Sequence, residues 1–176
     1  MQKKYVKVKN SKIFNRLAVK LATLFGIGNV QHCSGTVGSL VGTVIYAIII
    51  RKVAILPKSL VMLFMLIISL IICDIAEKAL KRHDPREIIL DEFVAMPFVF
   101  FGIEEYFSQK LSIAFIMIIG FIIFRIFDIL KPLGINRLQK LPGGIGISAD
   151  DIAAAIYSNI TLKVLGVCLS CLQTFI

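Results

Sequence analysis

Five apolar runs, at residues 37–50, 59–73, 93–103, 111–124 and 152–176, are separated by short blocks that hold the acids. Most of these runs fall short of the roughly 20 residues that a membrane span wants. Each becomes long enough by borrowing flanking polar residues, and the borrowing carries the charged blocks to a membrane surface rather than its centre. Composition points the same way. Apolar residues make up 57% of the chain, against about 45–50% in soluble domains even with glycine counted, and mean hydropathy is +0.86. A length of 176 residues suits one compact domain.

Basic residues test the arrangement. With the N-terminus inside and all five runs crossing, the inner side collects the basic segment 1–20, then Lys78, Lys81, Arg82 and Arg86, then Arg125, Lys131, Arg137 and Lys140. The outer side holds only Arg51, Lys52, Lys58 and Lys110, and Lys163 falls in the last run. That bias fits a cytoplasmic N-terminus. It also brings residues 35–39, 74–92 and 125–151 to one face, as a single active site requires. The third run is the weak point: Pro97 and the Asp91-Glu92 pair make it a poor span, partly re-entrant or buried by other helices.

Several classes drop out. The formal charge of +9, in a chain this apolar, favours anionic lipid as partner; no nucleic-acid motif accompanies it. Cys33, Cys73, Cys168 and Cys171 form no framework, and Cys168 and Cys171, despite CxxC spacing, read as buried small apolar residues. His32 and His83 stand alone. The segment 1–20 is too long and basic for a signal peptide; its second half, 13–25, reads as an amphipathic interfacial helix.

The charged blocks carry the chemistry, each with a plainer reading beside it. Asp84-Pro85-Arg86-Glu87 reads as a helix start, with Asp84 capping and Glu87 in a capping box. Asp84 also lies seven residues before Asp91, two turns along one helix face, where it could join Asp91 at a metal. Asp91 and Glu92 are either neutralised by Arg82 or Arg125, or share a cation with other acids. Arg125, Asp128 and Lys131, spaced by three, form either a surface ladder ending at Pro132 or a metal ligand flanked by two phosphate-binding cations. Ser148 and Asp151 fit a capping box, which leaves Asp150 unexplained; two adjacent acids after the loop Pro142-Gly143-Gly144-Ile145-Gly146 suit Mg²⁺. In Gly35-Thr36-Val37-Gly38-Ser39, the Gly38/Gly42 spacing means close helix packing, or the segment offers an anion a helix N-terminus. Five acids with one Arg and one Lys beside apolar runs point to a site for a metal and a phosphate next to a bilayer.

Taken in order, these blocks resemble the phosphatidylglycerophosphatase A family. The matching stretches are Gly35-Thr36-Val37-Gly38-Ser39, residues 84–92 from Asp84-Pro85 to Asp91-Glu92, Phe124-Arg125-Ile126-Phe127-Asp128-Ile129-Leu130-Lys131-Pro132, and residues 144–151 ending in Asp150-Asp151. The resemblance covers roughly 28–157. Departures from the family pattern are small or backbone changes, such as Cys33-Ser34 for Ala-Pro, and every charged motif residue is kept.

The resemblance implies an all-α, multi-pass membrane helical bundle; the run lengths add short spans, and the basic first 25 residues, outside the resemblance, add an interfacial N-terminal helix. A basic segment, 1–27, would precede a single membrane domain, 28–176, in a bacterial inner membrane with its active site facing the cytoplasm. The implied activity is Mg²⁺-dependent hydrolysis of phosphatidylglycerophosphate to phosphatidylglycerol and phosphate. Asp91, Glu92, Arg125, Asp128 and Lys131 would be catalytic. Gly35, Thr36, Gly38 and Ser39, with Arg125 and Lys131, would bind substrate, and Asp84, Asp91, Asp128, Asp150 and Asp151 would hold the metal. A membrane cation transporter and a non-catalytic membrane subunit are the competing expectations.

Overall fold

A computed structural model describes residues 2–30, 33–107, 112–132, 134–139 and 141–174. His32, Lys110 and Lys140 lie outside the described residues, as do the side chains of Lys3, Lys4, Lys7 and Lys9. Among the described residues the chain forms seven α-helices and no strand: α1 (Gln2–Ala22), α2 (Ser34–Ile48), α3 (Ile55–Leu80), α4 (Leu90–Val99), α5 (Ile113–Leu130), α6 (Ile135–Leu138) and α7 (Gly143–Thr174).

Among the described residues, four stretches are long and apolar enough to cross a membrane: Ser34–Lys52, Ile55–Leu80, Ile113–Leu130 and Gly143–Cys171. The runs do extend through their polar flanks. α3 continues past Cys73 to take in Asp74, Glu77 and Lys78, and α7 begins ahead of Asp150. Outward-facing side chains such as Leu63, Phe64, Ile71, Ile118, Ile122 and Val164 are exposed on these helices, a surface that water would penalise and hydrocarbon would not.

The third run is different. α4 has ten residues, about 15 Å of helix against a hydrocarbon core about 30 Å thick. It occupies the middle of the bundle, with Val94, Ala95, Met96, Pro97 and Val99 buried against α2, α3 and α7. Gly38 and Gly42 make the α2 contact possible: a Cβ at Gly38 would lie 2.8 Å from the Ile89 carbonyl oxygen, and one at Gly42 would lie 2.6 Å from that of Phe93. The GxxxG spacing therefore serves close helix packing here.

After Val99 the chain leaves helical geometry while still enclosed by protein, so its carbonyls need donors. Asn159 of α7 donates to the Val99 and Phe101 carbonyls, each at 2.9 Å. The Tyr46 hydroxyl donates to the Phe100 carbonyl at 2.7 Å and lies 3.1 Å from Glu104 Oε1. Lys58, buried, pairs with Glu104 at 3.5 Å. These contacts mark one end of the bundle. The other end gathers the N-termini of α2 and α4, the C-terminus of α5 and the first turns of α7.

Three local expectations fail. Residues 84–87 do not start a helix: Asp84 adopts a left-handed φ of 46°, the Ile88 N–H closes a turn on the Pro85 carbonyl, and the helix waits until Leu90. Pro85 disfavours right-handed helix at the residue before it. Ser148 is not a cap and 142–146 is not a free loop, because α7 already starts at Gly143. A Cβ at Gly144 would collide with the Leu70 carbonyl, so glycine there lets α7 dock its first turn on α3. Finally, Cys73 is buried but Cys168 and Cys171 are exposed, on the outer side of α7.

Asn159→Leu should destabilise the protein by about 1–2 kcal/mol, since two enclosed carbonyls lose their donors; thermal unfolding in detergent measures it. An unchanged midpoint would mean those carbonyls find other partners.

Candidate active site

At the charged end of the bundle lies a cavity of about 240 Å³. Its lining includes Asp84, Asp91, Glu92, Asp128, Asp150 and Asp151, against the cations Arg86, Arg125 and Lys131. Six carboxylates face three cations, so the wall is acidic by three charges when all are ionised. Three helices and the loop before α4 supply them. Asp91 and Glu92 sit in the first turn of α4. Arg125 and Asp128 come from the last turns of α5, and Lys131 is its C-cap, in a left-handed conformation with φ 43°. Asp150 and Asp151 lie two turns into α7. The start of α2 adds Ser34 and Gly35.

Within the cavity the charges divide into two sets. One set is paired: Arg125 Nη1 lies 2.7 Å from Asp128 Oδ2, and Lys131 Nζ lies 2.5 Å from Asp150 Oδ2. The other set is not. One oxygen each from Asp91, Glu92 and Asp151 lies within 4.8 Å of the others, and among the described residues no Lys or Arg forms an ion pair with any of the three. Arg82, a cation that could have neutralised Asp91 and Glu92, instead bonds Glu87 at 2.8 Å. Asp91 Oδ1, Glu92 Oε2 and Asp150 Oδ1 are buried without a hydrogen-bond partner.

Electrostatics follow from this. Burial, reinforced by the charges of Glu92 and Asp151, holds the Asp91 carboxyl well above the usual carboxylate range. Burial likewise pushes Glu92 up to about 7, with Asp128 adding to it. Lys131 moves upward too: burial opposes its charge, but the hydrogen bond to Asp150 and the nearby acids outweigh burial. Ionised carboxylates this close repel unless a cation lies among them. The donors are all hard oxygens close to one another, and Asp91 and Glu92 each keep a buried oxygen without a partner, which suits a divalent cation such as Mg²⁺ or Ca²⁺.

The glycine block contributes by shape. A Cβ at Gly35 would collide with Glu92 Oε1, so α2 approaches the carboxylates only because that position is bare. Ser39 is buried; its hydroxyl donates to the Gly35 carbonyl at 2.8 Å and accepts from Arg125 Nη1 at 3.4 Å. It braces the guanidinium from below. Gly38 lies at the α4 contact, and neither it nor Thr36 lines the cavity.

Asp84 reaches the cavity from a loop rather than a helix. Its Oδ2 accepts from Gln139 Nε2, and its N–H donates to Glu77 Oε1. Arg86 and Ser34 line the cavity as well, and both escaped the motif reading. The clue to Arg86 was its place two residues from Asp84, which lines the same cavity. His83 pairs with Glu77 and does not line the cavity.

The model of the family described as Phosphatidylglycerophosphatase A matches residues 20–166, a stretch that contains every residue of the cavity. The Haemophilus influenzae protein named Phosphatidylglycerophosphatase A is 35% identical over 146 residues, covering 81% of this chain and 84% of that one. The Escherichia coli protein of the same name is 31% identical over 150 residues, covering 83% and 81%. A Bacteroides thetaiotaomicron protein named "Putative phosphatidylinositol-3-phosphatase" is 27% identical over 151 residues, covering 84% and 92%. No solved structure matches. An acidic cavity built from four ordered motifs at one end of an apolar helical bundle, all within the matched stretch, agrees with what the similarity shows: this chain is a phosphatase and belongs to the phosphatidylglycerophosphatase A family.

Proposed function

We propose that the chain hydrolyses the terminal phosphomonoester of phosphatidylglycerophosphate, releasing phosphatidylglycerol and inorganic phosphate, and that it needs Mg²⁺ to do so. The observation that carries this reading is the unpaired trio Asp91, Glu92 and Asp151, set beside two cations already held in place. With all its acids ionised, a cavity with three more acids than cations repels a phosphomonoester dianion. A divalent cation among the trio offsets two of those three charges and faces the phosphate with positive charge, so substrate and metal belong to one site.

Asp91, Glu92 and Asp151 would hold the metal. Bound there, it would polarise the phosphoryl oxygens and lower the pKa of a water. Arg125, fixed by Asp128 and Ser39, presents its remaining guanidinium N–H groups to phosphate oxygens. Lys131, fixed by Asp150, adds a point charge where negative charge grows. Asp128 and Asp150 thus act chiefly by orienting cations. Asp84 and Arg86 close the cavity on the loop side, where the glycerol portion of the headgroup would enter. The basic bias of the loops supports a bacterial inner-membrane location with this end facing the cytoplasm.

Purified protein in mixed micelles should release phosphate from phosphatidylglycerophosphate with Mg²⁺ and not with EDTA. Asp128→Asn and Asp151→Asn should each lower turnover by about 10²-fold or more while retaining helical content. Full activity in EDTA would remove the metal from the reaction, and a fully active Asp128→Asn would remove Asp128 from the site. Phosphatidylinositol 3-phosphate belongs in the same assay, given the Bacteroides relative; faster hydrolysis of it would reassign the headgroup.

The raised carboxylates also predict how the metal-free protein responds to pH. Folded Asp91 and Glu92 keep protons that the unfolded chain releases, so stability falls as pH rises. For Glu92 the window runs from 4.5 to about 7. Glu87, lowered chiefly by its hydrogen bond to Arg82, acts only below that window. In EDTA the unfolding temperature should therefore drop between pH 5 and pH 8. Saturating Mg²⁺ should flatten or reverse the trend, because metal binds the deprotonated acids. A midpoint that climbs with pH in EDTA would contradict the crowded, unpaired trio.

A further inference from the structure

We propose that the groove between α1 and α3 binds a second anionic phospholipid of the bilayer, distinct from the one in the catalytic cavity. α1 divides lengthwise into three sectors. Ala18 and Ala22 are buried, 4% and 0% exposed, on the side packed against α3. Ile13, Phe14 and Leu17 are more than half exposed and form an apolar sector. Lys12, Arg16 and Lys20, spaced by four, advance about 40° per step and make a narrow basic sector between the other two. All three cations are exposed and, among the described residues, none has an ion-pair partner. None is available nearby: the first acid in the chain is Asp74, which pairs with Lys78, and Glu77 pairs with His83. The cations open onto a groove of about 560 Å³ whose lining also includes Asn15, Val19 and Ala79.

Charge and apolar surface side by side fit a phospholipid headgroup lying above its own acyl chains. A soluble anion would use the cations and leave the apolar sector unused. The groove also adjoins the catalytic end. The Ala22 carbonyl accepts the Ile89 N–H at 3.0 Å, and Ile88, next to Ile89, lines the catalytic cavity. A lipid seated on Lys20 therefore sits one turn from the segment that leads into Asp91.

The test is binding, not turnover, so its outcome is separate from the phosphatase assignment. The probes are spin-labelled phosphatidylserine and spin-labelled phosphatidylcholine in vesicles of phosphatidylcholine holding the full chain. The wild type should immobilise the serine lipid in preference to the choline lipid, and salt should weaken that preference. K12Q/R16Q/K20Q should reduce the preference about tenfold or more, whereas K12R/R16K/K20R should keep it; circular dichroism checks that both variants fold. No preference in the wild type, or one that survives in K12Q/R16Q/K20Q, would overturn the proposal. So would displacement of the lipid by millimolar inorganic phosphate, which would make the groove a site for free phosphate.

Discussion

Repulsion among three crowded carboxylates, two of them buried and one half-buried, governs this molecule. Asp91, Glu92 and Asp151 bring oxygens within 4.8 Å of one another without a Lys or Arg ion-paired to them among the described residues. Such a group is costly to bury, and it persists only where the backbone leaves it no escape. The backbone supplies that constraint through close helix packing. α4 is wedged into the bundle centre because α2 meets it on bare glycines, and α7 docks on α3 through its own glycine.

The remaining charges are organised around the trio. Arg125 and Lys131 are tied to Asp128 and Asp150, so each cation enters the cavity held in one place. That arrangement keeps the cations from collapsing onto Asp91 and Glu92, which would quench the site. At the opposite end, Lys58, Glu104 and Tyr46 close the irregular chain that follows α4. The two ends thus use charge differently. One satisfies itself and serves the fold; the other leaves oxygens unmet.

Much of this was legible in the sequence. The apolar runs became helices, the third run was recognisable as a poor span from Pro97 and Asp91-Glu92, and the blocks around residues 91, 125 and 150 converge in one cavity. Local patterns misled where two structures share one signature. Asp84-Pro85-Arg86-Glu87 has the residues of a capping box, but the chain uses Asp84 in a left-handed turn that delivers both it and Arg86 to the cavity. Ser148 also looks like a cap, yet the contact of Gly144 with α3 lets the helix begin earlier. Gly38 was ambiguous between packing and anion binding, and only its distance to Ile89 separates the two. Capping is decided by neighbours close in sequence, whereas these three outcomes depend on elements far away in it.

Binding of Mn²⁺ as a stand-in for Mg²⁺, followed by electron paramagnetic resonance on the purified protein, tests the central claim most directly. The account predicts saturable binding at a defined stoichiometry, competition by Mg²⁺, and loss of that site in Asp91→Asn and Asp151→Asn. Metal binding unaffected by either substitution, or no saturable binding to a folded and active protein, would contradict it.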